Sequence, residues 1–170
     1  QGAPPVPPTT KYKMNTVVDQ GDDTEYSAPT TTEADTWNAD FFTQEQTAPL
    51  PEEEPNEIQV KGLEVRVSLG RTPYVDFGIW GPFGRKVMRA LKFRNWIPVG
   101  DGTFNQKEMP GPENFQQYTA IWKVFVVAAK MIRVVLGYAL EMYYKKLEKL
   151  MMLWPHCWHL VYSADDRMRS

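Results

Sequence analysis

Cysteine and histidine are nearly missing from this chain, which has one cysteine, Cys157, and two histidines in 170 residues. A lone cysteine excludes an internal disulfide framework and fits a reducing compartment. The scarcity leaves His156, Cys157 and His159 as the one metal-like cluster. His156 and His159 share a helix face three residues apart, but Cys157 points elsewhere and no fourth ligand has paired zinc spacing. No metal and no cofactor are expected. A Cys–His nucleophile fails similarly, because nothing marks an orienting partner.

Basic residues are scarce in one half only. Residues 1–60 carry two basic and twelve acidic side chains, whereas the remainder carries seventeen basic and nine acidic. The overall charge of −2 hides this asymmetry, which predicts an acidic tail joined to a basic functional part. A secretory leader is also missing, since the start is proline-rich instead of apolar. The chain opens on Gln1, and Asp165 to Ser170 read as an unfinished helix. It is expected to be a piece of a longer intracellular protein, cytoplasmic or nuclear.

Residues 1–57 hold eight of the fourteen prolines, with Thr, Asp and Glu making up much of the rest. Such a segment buries too little apolar surface to offset an ordering entropy of ~1–2 kcal/mol per residue, so a disordered acidic arm is expected. One island stands out within it. On a helix Trp37 and Phe41 share a face among acidic neighbours, a pattern that folds onto a partner groove or is a chance cluster in a linker.

Structure is expected from Ile58. Leu63, Val65, Val67 and Leu69 alternate with Glu64, Arg66 and Ser68, which predicts a half-buried strand turned back at Lys61-Gly62 onto Ile58–Val60. Tyr74, Phe77, Trp80 and Phe83 follow in a glycine- and proline-punctuated loop. Residues 85–93 predict a short helix with Val87, Met88 and Leu91 on one face and Arg85, Arg89 and Lys92 on the other. Trp96–Val99 and Thr103–Glu108 flank Gly100-Asp101-Gly102, a turn sequence that predicts a small hairpin.

A single long helix is predicted from Pro112 to Trp154, opened by a first-turn proline and stopped by Pro155. Tyr118, Trp122, Phe125, Ala129, Ile132, Leu136, Ala139 and Tyr143 alternate four- and three-residue steps. That is the heptad rule, and it resumes through Leu147, Leu150 and Trp154 after one extra residue. Three roles are open to such a helix. Self-association is carried by Tyr118, Trp122, Phe125, Ile132, Leu136, Tyr143, Leu147 and Leu150, and gives a homo-oligomer. An intramolecular core helix satisfies the same stripe. A membrane anchor over 120–140 is the third, opposed by Lys130 and Arg133, each costing about 2.5–3.5 kcal/mol near a bilayer centre. A second helix is predicted from near His156, carrying Trp158, Val161, Tyr162 and Asp165.

Catalytic patterns are thin. Asp76-Phe77-Gly78 matches a kinase metal-binding triplet without any companion motif, and is read as coincidence. Asp165 and Asp166 point about 100° apart on a helix, so they are read as a solvated face. No enzyme activity is expected. The basic segment is richer: Arg85, Lys86, Arg89, Lys92 and Arg94 lie among Trp80, Phe83, Phe93 and Trp96. Cations neutralise phosphates and aromatic faces stack on unpaired bases, so these residues are candidates for single-stranded RNA or DNA contact, though the same mixture suits an anionic membrane surface or a solvated helix face with its aromatics on a core.

Several stretches carry a resemblance together: Phe77-Gly78-Ile79-Trp80-Gly81-Pro82-Phe83-Gly84-Arg85, Lys92-Phe93-Arg94, Gly100-Asp101-Gly102-Thr103-Phe104, Pro110-Gly111-Pro112-Glu113-Asn114-Phe115-Gln116-Gln117, Trp122-Lys123-Val124-Phe125, Trp154-Pro155-His156-Cys157-Trp158-His159-Leu160 and Ala164-Asp165-Asp166-Arg167. The series, over about residues 74–170, resembles a Gag-like region of retroelement-type open reading frames from dinoflagellate algae. In those, similar segments precede a cysteine/histidine knuckle and, in some, a reverse transcriptase. This chain carries neither motif. The resemblance implies a non-enzymatic assembly or scaffold segment with indirect nucleic-acid contact. An accessory region of an enzyme whose catalytic domain lies outside the chain is the other non-membrane alternative.

The expected architecture is α+β and mostly α. It comprises a disordered arm (1–57), a small β and short-helix basic aromatic unit (58–111), and the long helix with a C-terminal helix (112–170).

Overall fold

The sequence places strong helix-start signals where a disordered arm is expected, and they decide the architecture. A computed structural model of the chain describes residues 10–80, 92–98, 100, 102 and 104–170, with only the backbone course given for 92–98 and 104–110. Thr30 and Glu33 form a reciprocal capping box that opens α2 (Thr31–Glu45). Ahead of it, β1 (Lys11–Lys13) pairs antiparallel with β2 (Glu25–Ser27) around the short helix α1 (Met14–Val17). A 3-10 turn at Pro51–Glu53 leads to α3 (Glu57–Ser68).

Two expectations are overturned here. Residues 10–57 are not an arm, because Met14, Val17, Val18, Tyr26, Ala34, Trp37 and Phe41 lie buried in the main core. The physical reason is that burial of these side chains, at ~1.5–3 kcal/mol each, offsets the ordering entropy, while ion pairs worth roughly 0–1 kcal/mol each accompany it. Glu45 pairs with Lys130 at 2.5 Å, Asp40 with Arg133 at 3.2 Å, Glu33 with Lys61 at 2.5 Å and Asp19 with Arg66 at 2.9 Å. The acidic segment is thus neutralised by the basic half instead of remaining apart from it. Trp37 and Phe41 do share a helical face, but it covers the chain's own core and not a partner.

The second correction concerns 58–69, where a strand pair is expected and a helix is found. Asn56 and Gln59 make another capping box, so the helix is nucleated before the alternating stretch begins. Gln59, Val60, Gly62, Leu63 and Arg66 then form its buried face at three- and four-residue spacing. Period two in Leu63–Leu69 is a local accident that the cap overrides.

The β-hairpin is present and longer than expected: β3 (Lys92–Pro98) pairs antiparallel with β4 (Phe104–Pro110), with Pro98 opposite Phe104 and Lys92 opposite Pro110. Lys92 and Phe93, assigned to the end of a short helix, are therefore strand residues. The rest of that expected helix, 85–91, lies outside the described residues.

The long helix is not continuous. It is two helices, α4 (Phe115–Met131) and α5 (Gly137–Leu153), separated by Ile132–Leu136. Arg133 sits at the break with φ +56°, the left-handed region that an L residue enters at a cost of roughly 1–2 kcal/mol. The fold-back answers the width of the apolar arc. Tyr118, Ile121, Trp122, Val124, Phe125 and Val127 cannot all face one partner on a straight helix, and all are buried here. Each buried side chain of this size contributes ~1.5–3 kcal/mol, which outweighs one strained residue and a few lost backbone hydrogen bonds of about 1 kcal/mol each. Trp122 lies between the phenols of α5, its ring 5.5 Å from Tyr143 and 6.2 Å from Tyr144.

Pro155 ends α5 as expected, and α6 (Trp158–Arg169) follows after a tight turn. Among the described residues the fold is mostly helical with two small two-stranded antiparallel sheets. No helix among the described residues is long and apolar enough to cross a membrane, and 120–140 is divided between two helices and the break.

Candidate functional site

A buried polar cluster joins α4, α5 and α6 to the loop before β3. Its centre is Asp165, 1% exposed, which the sequence presented as half of a solvated pair. One carboxylate oxygen, Oδ1, accepts from Tyr118 Oη at 2.8 Å and from Tyr143 Oη at 2.5 Å. The other accepts from Arg169 Nε at 2.8 Å, one helical turn on. Arg169 Nη1 donates to the Val75 carbonyl at 2.8 Å, and its guanidinium lies 3.8 Å over the Phe77 ring. Asp166 accepts from Tyr74 Oη at 2.6 Å.

The electrostatics of this cluster are those of a brace. Burial first, then Asp165, push the Tyr118 and Tyr143 hydroxyls far above the ordinary phenol range. Burial alone would lower the Arg169 value, but the Asp165 charge more than reverses it. The phenols therefore stay protonated donors and the guanidinium stays charged. With the carboxylate buried, its hydrogen bonds tie α4 and α5 to α6.

The Asp76-Phe77-Gly78 triplet belongs to the same framework. Asp76 accepts from Gly78 N–H at 2.8 Å and from Gln20 Nε2 at 3.0 Å, and the Ile79 and Trp80 amides donate to its carbonyl. Phe77 is fully buried beneath Arg169. Among the described residues no group of three or more His, Cys, Asp or Glu is placed to hold a metal ion.

The expected self-association residues divide into two populations. Tyr118, Trp122, Phe125 and Leu147 are buried in the chain's own core, and Ile132 and Tyr143 pack against it half-buried. Leu136 is 67% exposed and Leu150 is 40% exposed. These two belong to two exposed apolar groups that the heptad pattern did not reveal, one at each end of α5, with exposed Lys145, Lys146 and Lys149 between them. Tyr138, Met142, Met152, Leu153, Trp154 and Leu160 are each more than half exposed. Eight of the twelve large apolar side chains left exposed among the described residues thus lie between 136 and 160. The run Met151-Met152-Leu153-Trp154 beside a helix-stopping proline is the sequence signal that marks the group at the turn. Lys145, Lys146 and Lys149 are exposed along the same helix, with Lys145 paired to Glu141 at 3.1 Å.

A groove of 870 Å³ lies between residues 47–53, α4 and α5. Phe41, Leu50, Trp122, Val126 and Tyr138 line it, and its charged rim is already paired, Lys130 to Glu45 and Lys123 to Glu53.

The candidate nucleic-acid residues are not assembled into one described site. Arg85, Lys86 and Arg89 lie outside the described residues. Lys92, Arg94 and Trp96 occupy alternate positions of β3, opposite Pro110, Glu108 and Gln106 of β4. No family model matches the chain, and no curated protein or solved structure matches it.

Proposed function

We propose that the chain is a non-catalytic assembly module, of the Gag-like kind its sequence resembles, which associates with other copies of itself. The observation that carries this reading is the group of exposed apolar side chains at the end of α5 and the α5–α6 turn, Leu150, Met152, Leu153, Trp154 and Leu160. Exposed large side chains are ordinary when scattered, but a concentration on one helix and its turn marks an interaction surface. The chain's most elaborate polar cluster is spent on bracing these same helices, which favours a presenting scaffold over a reaction centre.

The test is mass against concentration by sedimentation equilibrium. Met152→Asp with Leu153→Asp changes side chains that are 78% and 62% exposed, so the fold is retained. Concentration-dependent association in the parent and its loss in this variant support the assembly reading. A strictly monomeric parent at high concentration removes it. Binding of the same surface to lipid vesicles, unaffected by high salt, would assign it to a membrane instead.

Single-stranded nucleic-acid contact is the second part of the proposal, carried by Lys92, Arg94 and Trp96 on one strand and by Arg85, Lys86 and Arg89 before it. Binding to single-stranded RNA is expected to weaken steeply with salt and with Arg85→Ala, Arg89→Ala and Lys92→Ala together. No binding at low salt eliminates this part while leaving assembly intact.

A further inference from the structure

The break between α4 and α5 has a composition unsuited to a break. Ile132-Arg133-Val134-Val135-Leu136 contains no proline and no glycine, yet Arg133 takes the left-handed conformation at φ +56°. The four-three apolar spacing from Tyr118 to Tyr143 also runs through the break without a phase slip. The nearest glycine, Gly137, is already the first residue of α5 and does not take the left-handed conformation, so the strain falls on Arg133, and the periodicity does not restart.

The closed form is held by groups from α2. Gln44 Nε2 donates to the Lys130 carbonyl at 2.8 Å, and Lys130 and Arg133 pair with Glu45 and Asp40. The helices on either side of the break hold one another through internal contacts: Tyr118 and Tyr143 on Asp165, and Trp122 on Tyr143. Those contacts need α4 to meet an α5–α6 pair, but not the pair from its own chain. A short, strained connection between two mutually complementary pieces is the arrangement that exchanges elements between copies.

We propose that Ile132–Leu136 is an exchange hinge, which straightens so that α4 and α5 become one helix and α5–α6 of each copy packs on α4 of a second copy. This rests on the self-association reading but assigns it a different route from the exposed apolar surface. In the exchanged dimer every buried contact listed above is re-formed between chains, and Arg133 is relieved.

The test refolds the full chain from denaturant at high concentration, with Cys157→Ser, with Met152→Asp and Leu153→Asp to remove association through the exposed apolar side chains, and with spin labels on Gln116→Cys and Lys145→Cys. Labelled chain is diluted into excess unlabelled chain so that only distances within one chain are read. In the closed form these positions are close, since Thr119 and Tyr144 hydroxyls are 2.9 Å apart. In a continuous helix they are roughly 45 Å apart at 1.5 Å per residue. Dimers are expected to show the long distance. Arg133→Ala and Arg133→Gly remove the same ion pair, but glycine tolerates the left-handed conformation and alanine does not. The dimerisation constant is therefore expected to differ between them by about tenfold or more, tighter for alanine, as relief of one strained residue in each of the two chains predicts.

Dimers that keep the short distance overturn the exchange, as does a failure of Arg133→Ala to dimerise under these conditions. The two routes separate cleanly. Met152→Asp with Leu153→Asp removes association through the apolar surface and leaves exchange. Arg133→Gly suppresses exchange and leaves association through the surface.

Discussion

Tyr118 and Tyr143 give their hydroxyl protons to the same oxygen of Asp165, although they come from two different helices and neither is adjacent to it in sequence. Arg169 occupies the opposite oxygen, so three helices and one loop meet on a single carboxylate. Asp165→Asn leaves the Arg169 guanidinium buried without its principal counter-charge. Loss of one partner of a buried pair costs about 3–5 kcal/mol, and that loss is expected in denaturant unfolding. Replacing both, Asp165→Asn with Arg169→Gln, is expected to cost less than the sum of the two single changes, because no orphaned charge remains and the Asn oxygen still accepts from both phenols. Additive single and double effects would show that the pair is not the organising contact.

The acidic half of the chain is expected to be part of the folded unit. Trp37 is 5% exposed, and its indole N–H donates to Glu64 at 3.0 Å. Trp37→Ala should destabilise by roughly 3–5 kcal/mol, the range for an aromatic deleted from a core. Removing residues 1–57 should abolish cooperative unfolding, read by near-ultraviolet dichroism during denaturation. A truncated chain that unfolds cooperatively would return this segment to the status of an arm.

The reason these features were only partly legible is physical. Pro155, the pairing of β3 with β4, the face shared by Trp37 and Phe41 and the α6 residues were readable because each acts locally. The status of 10–57 was not, since its few apolar side chains are buried against partners in the other half of the chain, where Glu45 also pairs with Lys130 and Asp40 with Arg133. The heptad spacing was real but ambiguous: Tyr118 and Trp122 satisfy it by facing Asp165 and Tyr143 of a folded-back helix. Asp165 was misread because adjacency to Asp166 hid its partner, Arg169, four residues on. The opposite charges at that spacing, on a helix rich in aromatics, were the available signal.

Gly62 offers a test of packing against propensity. In a helix interior, Gly→Ala ordinarily stabilises by up to about 1 kcal/mol. Here an added Cβ would lie 2.6 Å from Val18 Cγ2 and 2.8 Å from Tyr26 Oη. Tyr26 is held by its own hydrogen bond to the Ile58 carbonyl at 2.9 Å, so it cannot retreat without losing that partner. Overpacking of this kind costs ~1–3 kcal/mol, which exceeds the propensity gain. Gly62→Ala is expected to lower the melting temperature, and a rise would mean that α1 and β2 yield more readily than their burial implies.

The pH dependence of stability should separate two carboxylates by sign. Burial raises the Asp76 value, and the neighbouring Asp166 and Asp19 charges add to this against the hydrogen bonds from Gly78 and Gln20. A raised folded-state value means that the folded chain holds this proton more tightly than the unfolded chain. The associated stability is full below the unfolded value and is lost as pH rises through the folded one. At neutral pH the ionised Asp76 therefore detracts from the fold. Glu33 behaves oppositely: the Lys61 hydrogen bond lowers its value against burial, so its contribution is present at neutral pH and lost in acid. Asp76→Asn keeps an acceptor for Gly78 N–H, and the Gln20 amide needs only to turn over. This variant is expected to match or exceed the parent at pH 7, with any advantage vanishing by about pH 3, below the ordinary carboxylate range. Glu33→Gln should be weaker than the parent at pH 7 and approach it over the same interval. Thermal melts of the three proteins at the two pH values decide the matter, and parallel pH responses from both variants would refute the assignment of opposite signs.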